Sequence, residues 1–378
     1  MMKAASNKSA ISLSLLVLIS FIIGFKIMSL SAWRPSKILD NQKTDETLFQ
    51  QLSPMTTEIP SLKGYIVYDC DDQHPGPCGS WSERMAGIFS TYVISVLLRK
   101  HFLIRYTRYF NLTDYLSPSA VDWKYNSSIL PGRSWDYQDF FSNTPSALKK
   151  SDLKGLRDQF PYDVNFVRMK WDYTEYFRNF ASLPSAIPWV FELHFADIYH
   201  KFFNTFFQPT KTVSQSVNYV LTNVTKLACA HISLGEKRPI LADDTFTDKT
   251  EIKPVWDLLK AMDKRGYGIF VATGSQYVRN LAKDRFKHLY EVEGRIQQME
   301  RPISGEGLDV GYKKVVVDFL VLTKCDVLIL TNSGFGMLAA FINNGTKELY
   351  CLKSGEVLPC SRYTLHSFYP KKIFAPVQ

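Results

Sequence analysis

The sequence predicts an α/β protein of two lobes, each a parallel sheet covered by helices. Three observations carry this reading. Residues 64–104 read as strand, loop, helix and strand. From Lys226 onward strands and helices alternate regularly. The strands are continuous apolar runs, as a sheet buried on both faces requires. The lobes are residues 61–225 and 226–378, behind an apolar amino-terminal stretch.

The elements follow in order. Residues 11–30, ISLSLLVLISFIIGFKIMSL, are apolar but for some serines, a glycine and Lys26. About 20 such residues span a bilayer as a helix. Lys3 and Lys8 precede the stretch, and Lys26, Arg34 and Lys37 end or follow it, so charge decides its orientation weakly. Two readings fit: a signal anchor with a cytosolic tail at 1–10, and a cleaved signal peptide ending near Ser31 or Ala32. We adopt the anchor, a single-pass type II arrangement. Residues 31–60 are polar, contain proline and lack any period, as a stem does. Both readings deliver the rest of the chain to the secretory pathway.

Folding begins with the β-rich run Gly64–Tyr68. After a loop rich in Pro and Gly, Met85, Ile88, Phe89, Tyr92, Val93, Val96 and Leu97 recur at helical spacing. Ser80 and Glu83 stand three apart at that helix start, as in a capping box. Phe102-Leu103-Ile104 opens the next strand. Residues 107–225 are aromatic and broken by prolines, and read as short helices and loops. Strand 226–232 then leads to helix 251–265, with Pro254 in its first turn and Gly266 beyond its end. Strand 267–272, helix 276–285, strand 288–292, helix 311–324, strand 326–331, helix 335–343 and a closing strand 348–352 complete the series.

Composition supports a lumenal setting. Asn111, Asn126, Asn223 and Asn344 each begin an Asn-x-Ser/Thr triplet. All six cysteines follow the apolar stretch, and an even number suits disulfides. Cys70–Cys78 and Cys351–Cys360 would close short loops, and no zinc-finger spacing is present. The net charge of +9 would raise nucleic acid as a partner in a cytosolic chain. In a lumen it fits an anionic small molecule or glycan, or a solvated basic surface, and nucleic acid is not an expected partner.

Ligands of open α/β sheets bind beyond the carboxyl ends of strands. Three such ends matter: HISLGEKR at 231–238, Thr273-Gly274-Ser275, and NSGFG at 332–336. Small residues before a helix let backbone N–H groups approach a phosphate, and otherwise serve as plain turns. His231 is either a packed core side chain or a nucleotide contact. Asp69-Cys70-Asp71 matches the short pattern by which metal-dependent sugar transferases hold a divalent ion. A polar turn with Cys70 in a disulfide is the reading adopted, so no metal ligand is assigned.

Together these pieces resemble the α1,2-, α1,6- and protein O-fucosyltransferase superfamily. Residues 65–104, YIVYDC…CGSWSERMAGIFSTYVISVLLRKHFLI, are similar to its first-lobe motif GG-x-GDR-x-x-G. AHISLGE at 230–236 resembles H-x-R-x-G-D. VVVDFLVLTKCDVLILTNSGFGMLAA at 315–340 resembles its Asp-bearing helix, strand and S-x-F-S turn. The resemblance implies a GT-B fold with a central cleft. It also implies metal-independent transfer of fucose from GDP-fucose, with inversion, to a glycan or glycoprotein, without a cofactor. A Golgi membrane location follows. It places Arg84 among the catalytic groups. His231, Ser333, Gly334 and Phe335 would hold the nucleotide end, and Asp318 would orient that loop or the guanine.

The chain departs from the motifs in places. Ser80 and Ser82 stand at glycine positions, Glu83 and Glu236 at acid positions, and Ser233 at the arginine position. That arginine would neutralise the leaving diphosphate, a contribution of several kcal/mol on the scale of an oxyanion-hole donor. Lys237, Arg238 or Arg84 could supply the cation instead. Glu83, Glu236 and Asp244 are the candidate bases. The missing arginine keeps open a second reading, a non-catalytic relative that binds glycans or partners in the lumen. A third is a metal-dependent transferase using Asp69 and Asp71.

Overall fold

A computed structural model describes residues 62–369 except 75, 142–147, 149–151, 235–246, 298 and 300–307. The expected tail, membrane span and stem lie outside the described residues. Among the described residues no helix is long and apolar enough to cross a membrane. The described residues belong to one compact unit.

The first sheet holds β1 (Tyr65–Cys70), β2 (His101–Tyr106), β4 (Trp135–Asp139) and β5 (Val164–Arg168), in the order β2-β1-β5-β4 and parallel throughout. Helix α1 (Trp81–Leu98) crosses from β1 to β2. Its first turn carries the expected box: Glu83 N–H donates to Ser80 Oγ at 3.4 Å, and Ser80 N–H donates to Glu83 Oε2 at 2.7 Å. Helical spacing indicated one apolar face, yet α1 is buried nearly all round, because the sheet and other helices enclose it. Gly87 permits this, since a Cβ there would lie 2.0 Å from the Met169 carbonyl oxygen.

Residues 107–225 hold more strand than their proline-broken sequence indicates. They contribute β4, the internal strand β5, and the antiparallel pair β3 (Leu116–Pro118) and β6 (Phe207–Pro209). The helices there are α2 (Leu153–Gln159), α3 (Phe195–Phe206), α4 (Lys211–Thr222) and three single turns between 174 and 192.

The second sheet holds β7 (Leu227–Ile232), β8 (Gly268–Thr273), β9 (Leu289–Tyr290), β10 (Val327–Leu330), β11 (Glu348–Lys353) and β12 (Glu356–Pro359). Their order is β12-β11-β10-β7-β8-β9. The sheet is parallel except for β12, which pairs antiparallel with β11. The strand at 348–352 therefore does not close the unit. Ser354 and Gly355, both at positive φ, turn the chain into one more strand. Helices α5 (Lys253–Lys264), α6 (Gln276–Arg285), α7 (Leu308–Leu322) and α8 (Gly334–Ile342) link these strands. Pro254 opens α5, and Gly266 follows it at φ +80°.

Side-chain alternation along β7 divides the core. Ala228, Ala230 and Ile232 join a cluster with Val255, Leu259 and Val278 of α5 and α6. Leu227 and Cys229 face the larger cluster, which runs through Phe319 and Leu338 to Phe89 and Phe202 of the first half. The two sheets thus share one apolar core. Three disulfides brace it: Cys70–Cys78, Cys351–Cys360 and Cys229–Cys325, with no free cysteine.

Candidate functional site

The chain leaves β7 in one direction to build β8 and β9, then returns to place β10 on the other side of β7. Such a reversal opens a crevice at the carboxyl ends of the two flanking strands. Here those strands are β7 and β10, which end at His231-Ile232 and Leu330. The expected loops at 231–234 and 332–336 therefore meet at one place.

Backbone bonds tie the strand ends together. Thr331 N–H donates to the His231 carbonyl oxygen at 3.2 Å, and Ser233 N–H donates to Thr331 Oγ1 at 2.9 Å. On the other side Thr273 Oγ1 donates to the Ile232 carbonyl oxygen at 2.7 Å. Ser275 caps α6 as its residue type predicts. The hydroxyl of Thr331, which the sequence reading passed over, thus sets the spacing of the two central loops.

Helix α8 begins in this crevice. Ser333 is its N-cap in extended conformation, and its side chain makes no cap hydrogen bond. The first helix-type bond is Met337 N–H to the Ser333 carbonyl oxygen. The amides of the preceding turn are those an α-helix leaves for outside partners. With the helix dipole they suit an anion.

His231 is buried, and its ring stacks on Phe335 at 5.0 Å between centroids and 28° between planes. Its Nδ1 has no hydrogen-bond partner. Burial pushes the imidazole down to about 4. The ring is therefore neutral at physiological pH and contributes a polar atom without charge. Gly336 makes the arrangement possible: a Cβ there would lie 2.9 Å from His231 Nδ1. The G-x-G of NSGFG was the sequence signal for this close approach.

Three of the expected site residues have partners within the protein. Arg84, placed among the catalytic groups and one of three candidate cations, is fully buried. Its Nε donates to the Gly79 carbonyl oxygen at 2.8 Å, and its terminal nitrogens donate to Tyr106 Oη and the Met299 carbonyl oxygen. Tyr106 and Tyr109 lie against the guanidinium at 4.9 and 5.9 Å. Arg84 therefore bridges the two halves and is enclosed there. Glu83 was a candidate base; its oxygens instead cap α1 and approach Lys170 at 3.8 Å. Asp318 was expected to meet the loop or the guanine. Both its oxygens accept from Lys314 Nζ, at 3.0 and 2.7 Å, one turn back on α7. Burial raises the Asp318 carboxyl above its usual range while Lys314 works against it. Glu236, Lys237, Arg238 and Asp244 lie outside the described residues.

Asp69 and Asp71 are likewise committed. Asp69 accepts from Arg105 Nε at 2.5 Å and lies 2.8 Å from His74 Nδ1. Asp71 accepts from Thr107 Oγ1 at 2.6 Å and from Gln73 N–H at 2.7 Å. Burial opposes ionisation of Asp71, and these bonds outweigh it and hold the carboxyl below its usual range.

A file of rings joins the crevice to the first half. Trp81, at the start of α1, meets Phe319 of α7 at 5.6 Å. Phe319 meets Phe335 at 5.3 Å, and Phe335 stacks on His231. The elements carrying His231, Ser333 and Arg84 thus converge on one joint.

No family model and no curated protein matches the chain. Solved structures do. The GDP complex of an arginine-to-lysine mutant of FUT1 from Arabidopsis thaliana shares 12% identity, covers 83% of this chain and 75% of its own, and has a TM-score of 0.50. The fucosyltransferase NodZ from Bradyrhizobium shares 9% identity over 79% of this chain and 99% of its own, with a TM-score of 0.46. POFUT1 without ligand shares 9% identity over 75% and 96%, with a TM-score of 0.36. These neighbours are fucosyltransferases, and the likeness to FUT1 places the chain in that α/β fold.

Proposed function

We propose that the chain is a glycosyltransferase that moves fucose from GDP-fucose to a hydroxyl of a glycan or glycoprotein, with inversion and without a metal ion. It would act in the lumen of the Golgi, anchored through residues 11–30. One observation carries the reading: the reversal point of the second sheet brings His231, Ser233 and the start of α8 together. This occurs in the fold of an enzyme crystallised with GDP. The order of the three sequence motifs supports the same donor.

In this reading the first-turn amides of α8 and the Ser333 hydroxyl receive the diphosphate. Phe335, backed by His231, forms an apolar wall beside it. The acceptor hydroxyl attacks C1 of fucose as the C1–O bond to GDP breaks and the hydroxyl proton passes to a base. Glu236 and Asp244 remain the candidate bases, since Glu83 is occupied as a cap, and Lys237 and Arg238 the candidate cations. Binding of GDP measured by calorimetry, followed by transfer from labelled GDP-fucose to a glycan panel, tests the proposal. Gly336→Ala, which drives a methyl group against His231, is expected to lower both. A folded chain that binds no GDP and transfers no fucose refutes it.

A second reading is favoured by the charge pattern. Ser233 replaces the arginine, His231 is neutral and Arg84 is enclosed, so none of these three presents a cation to a diphosphate. A non-catalytic relative binding glycans or partners would show ligand binding without turnover at saturating donor.

A further inference from the structure

We propose that Asn111, Asn126, Asn223 and Asn344 carry N-linked glycans, each Nδ2 taking its sugar from a lipid-diphosphate oligosaccharide. All four open Asn-x-Ser/Thr triplets and all four are exposed. The fold adds what the triplets alone do not show, which is how each amide is used.

Asn111 caps the short turn Leu112–Asp114. Its Oδ1 accepts from Thr113 N–H at 3.1 Å and from the Thr113 hydroxyl at 2.9 Å. Asn126 caps Ser127–Ile129 in the same way, its Oδ1 accepting from Ser128 N–H at 2.9 Å. In both, the oxygen does the structural work and the nitrogen takes no part in the cap. A sugar on Nδ2 replaces one N–H hydrogen and leaves the oxygen in place, so both caps survive modification. At Asn223 the Nδ2 donates to the Tyr219 carbonyl oxygen at 2.6 Å, and a glycosylated amide retains one N–H for that bond. Asn344 lies in the turn between α8 and β11. Its neighbours bond inward there: Asn343 Nδ2 donates to the Cys325 carbonyl oxygen at 3.0 Å, and Thr346 Oγ1 donates to the same oxygen at 3.3 Å.

Two of the sites lie away from the crevice. Asn223 precedes β7 and Asn344 precedes β11, so both mark the amino edge of the second sheet. His231 and Ser333 lie at its carboxyl edge.

In the modification an N–C1 bond forms, the C1–O bond to the lipid diphosphate breaks, and one amide proton is released. The oligosaccharide donor belongs to the secretory lumen, so the inference rests on the lumenal part of the reading above. Three disulfides support that setting independently of the amino terminus.

The test uses the full chain expressed in cultured animal cells, alone and behind an added cleavable secretory signal. Peptide-N-glycosidase digestion in heavy-oxygen water converts each glycosylated asparagine to a labelled aspartate, which peptide mass spectrometry locates. Label at all four positions is expected, with one step in intact mass for each. Ser128→Ala should remove the step at Asn126 and keep its cap, because the donor there is a backbone N–H. Label only behind the added signal keeps the sites and retires the lumenal reading of the native chain. A folded chain unlabelled at Asn111 and Asn126 in both formats overturns the proposal.

Discussion

The carboxyl end of β1 and that of β7 hold equivalent places in the parallel parts of two sheets, and they are furnished differently. At the first, a loop fastened by Cys70–Cys78 folds back over the strand ends. Asp69 holds Arg105 and His74, His74 stacks on Tyr137 at 3.9 Å, and Arg168 grips the His74 carbonyl oxygen and Asp139. At the second, Ser333 caps nothing with its side chain, and His231 Nδ1 has no partner. One reversal point is filled by the protein's own charges, and the other keeps polar groups in reserve. An unsatisfied buried polar atom costs about 1–3 kcal/mol, and both ends carry such atoms, His231 Nδ1 at the second and Tyr137 Oη and Arg168 Nε at the first, so the difference between the ends lies in the charge pairs that fill the first and in the amides that open α8 at the second.

Breaking the braces under each end should show the largest effects. Cys229→Ala/Cys325→Ala removes a link between residues 96 apart, directly beneath His231. The chain-entropy estimate for such a loop is about 4.7 kcal/mol. Cys70→Ala/Cys78→Ala opens a separation of only 8, for which the same estimate is below about 3 kcal/mol. Urea unfolding of the two double variants measures the difference, and equal losses would undo the ranking.

Arg105→Ala follows. It strips Asp69, which is fully buried, of its strongest partner and should cost about 3–5 kcal/mol. Nucleotide affinity of the folded fraction should stay within about twofold, a change too small to signal a lost contact. If affinity fell while stability held, the first end would be a binding site after all.

Acid sharpens the contrast through His231. Its folded value near 4 lies below the ordinary 6.5, so the unfolded chain binds more protons between those values. Its contribution to stability is intact above about 6.5 and declines as pH falls toward 4, by a total on the order of 3 kcal/mol. His231→Phe keeps a ring against Phe335 and cannot take up the proton. Its unfolding free energy should therefore fall less steeply across that window than that of the native chain.

The smallest effects compare two caps. Ser80→Ala removes a working capping box and should cost about 1 kcal/mol. Ser333→Ala removes no cap bond, so stability should change by less than about 0.5 kcal/mol. Its GDP affinity should fall about tenfold, the scale of one hydrogen bond to a charged group.

Much of this architecture was legible in the sequence, for identifiable reasons. β7, β8 and β10 are buried on both faces and read as unbroken apolar runs. Ser80, Glu83, Pro254, Gly266 and Ser275 mark helix ends by local chemistry that needs no tertiary partner. β4 and β5 escaped notice because polar residues interrupt their pattern. Asn165 is tolerated inside β5 because its Nδ2 donates to the Tyr162 carbonyl oxygen, and Arg168 because Asp139 pairs with it. The β11–β12 hairpin could have been read from Ser354-Gly355, a two-residue turn of the right type. At the site, residue positions were visible and their partners were not. Arg84 is enclosed by Tyr106 and Met299, 22 and 215 residues away, which no local pattern announces. Lys314 and Asp318, one helical turn apart, were the exception that spacing alone could have exposed.

The file of rings from Trp81 to His231 bears on how this protein could be divided. Packed interiors hold their shape like crystals, so Phe335 leans on Phe319 and through it on the helix that opens at Trp81. Severed before Lys226, the carboxyl-terminal half would keep every strand of its sheet yet forfeit the post that steadies its central loop.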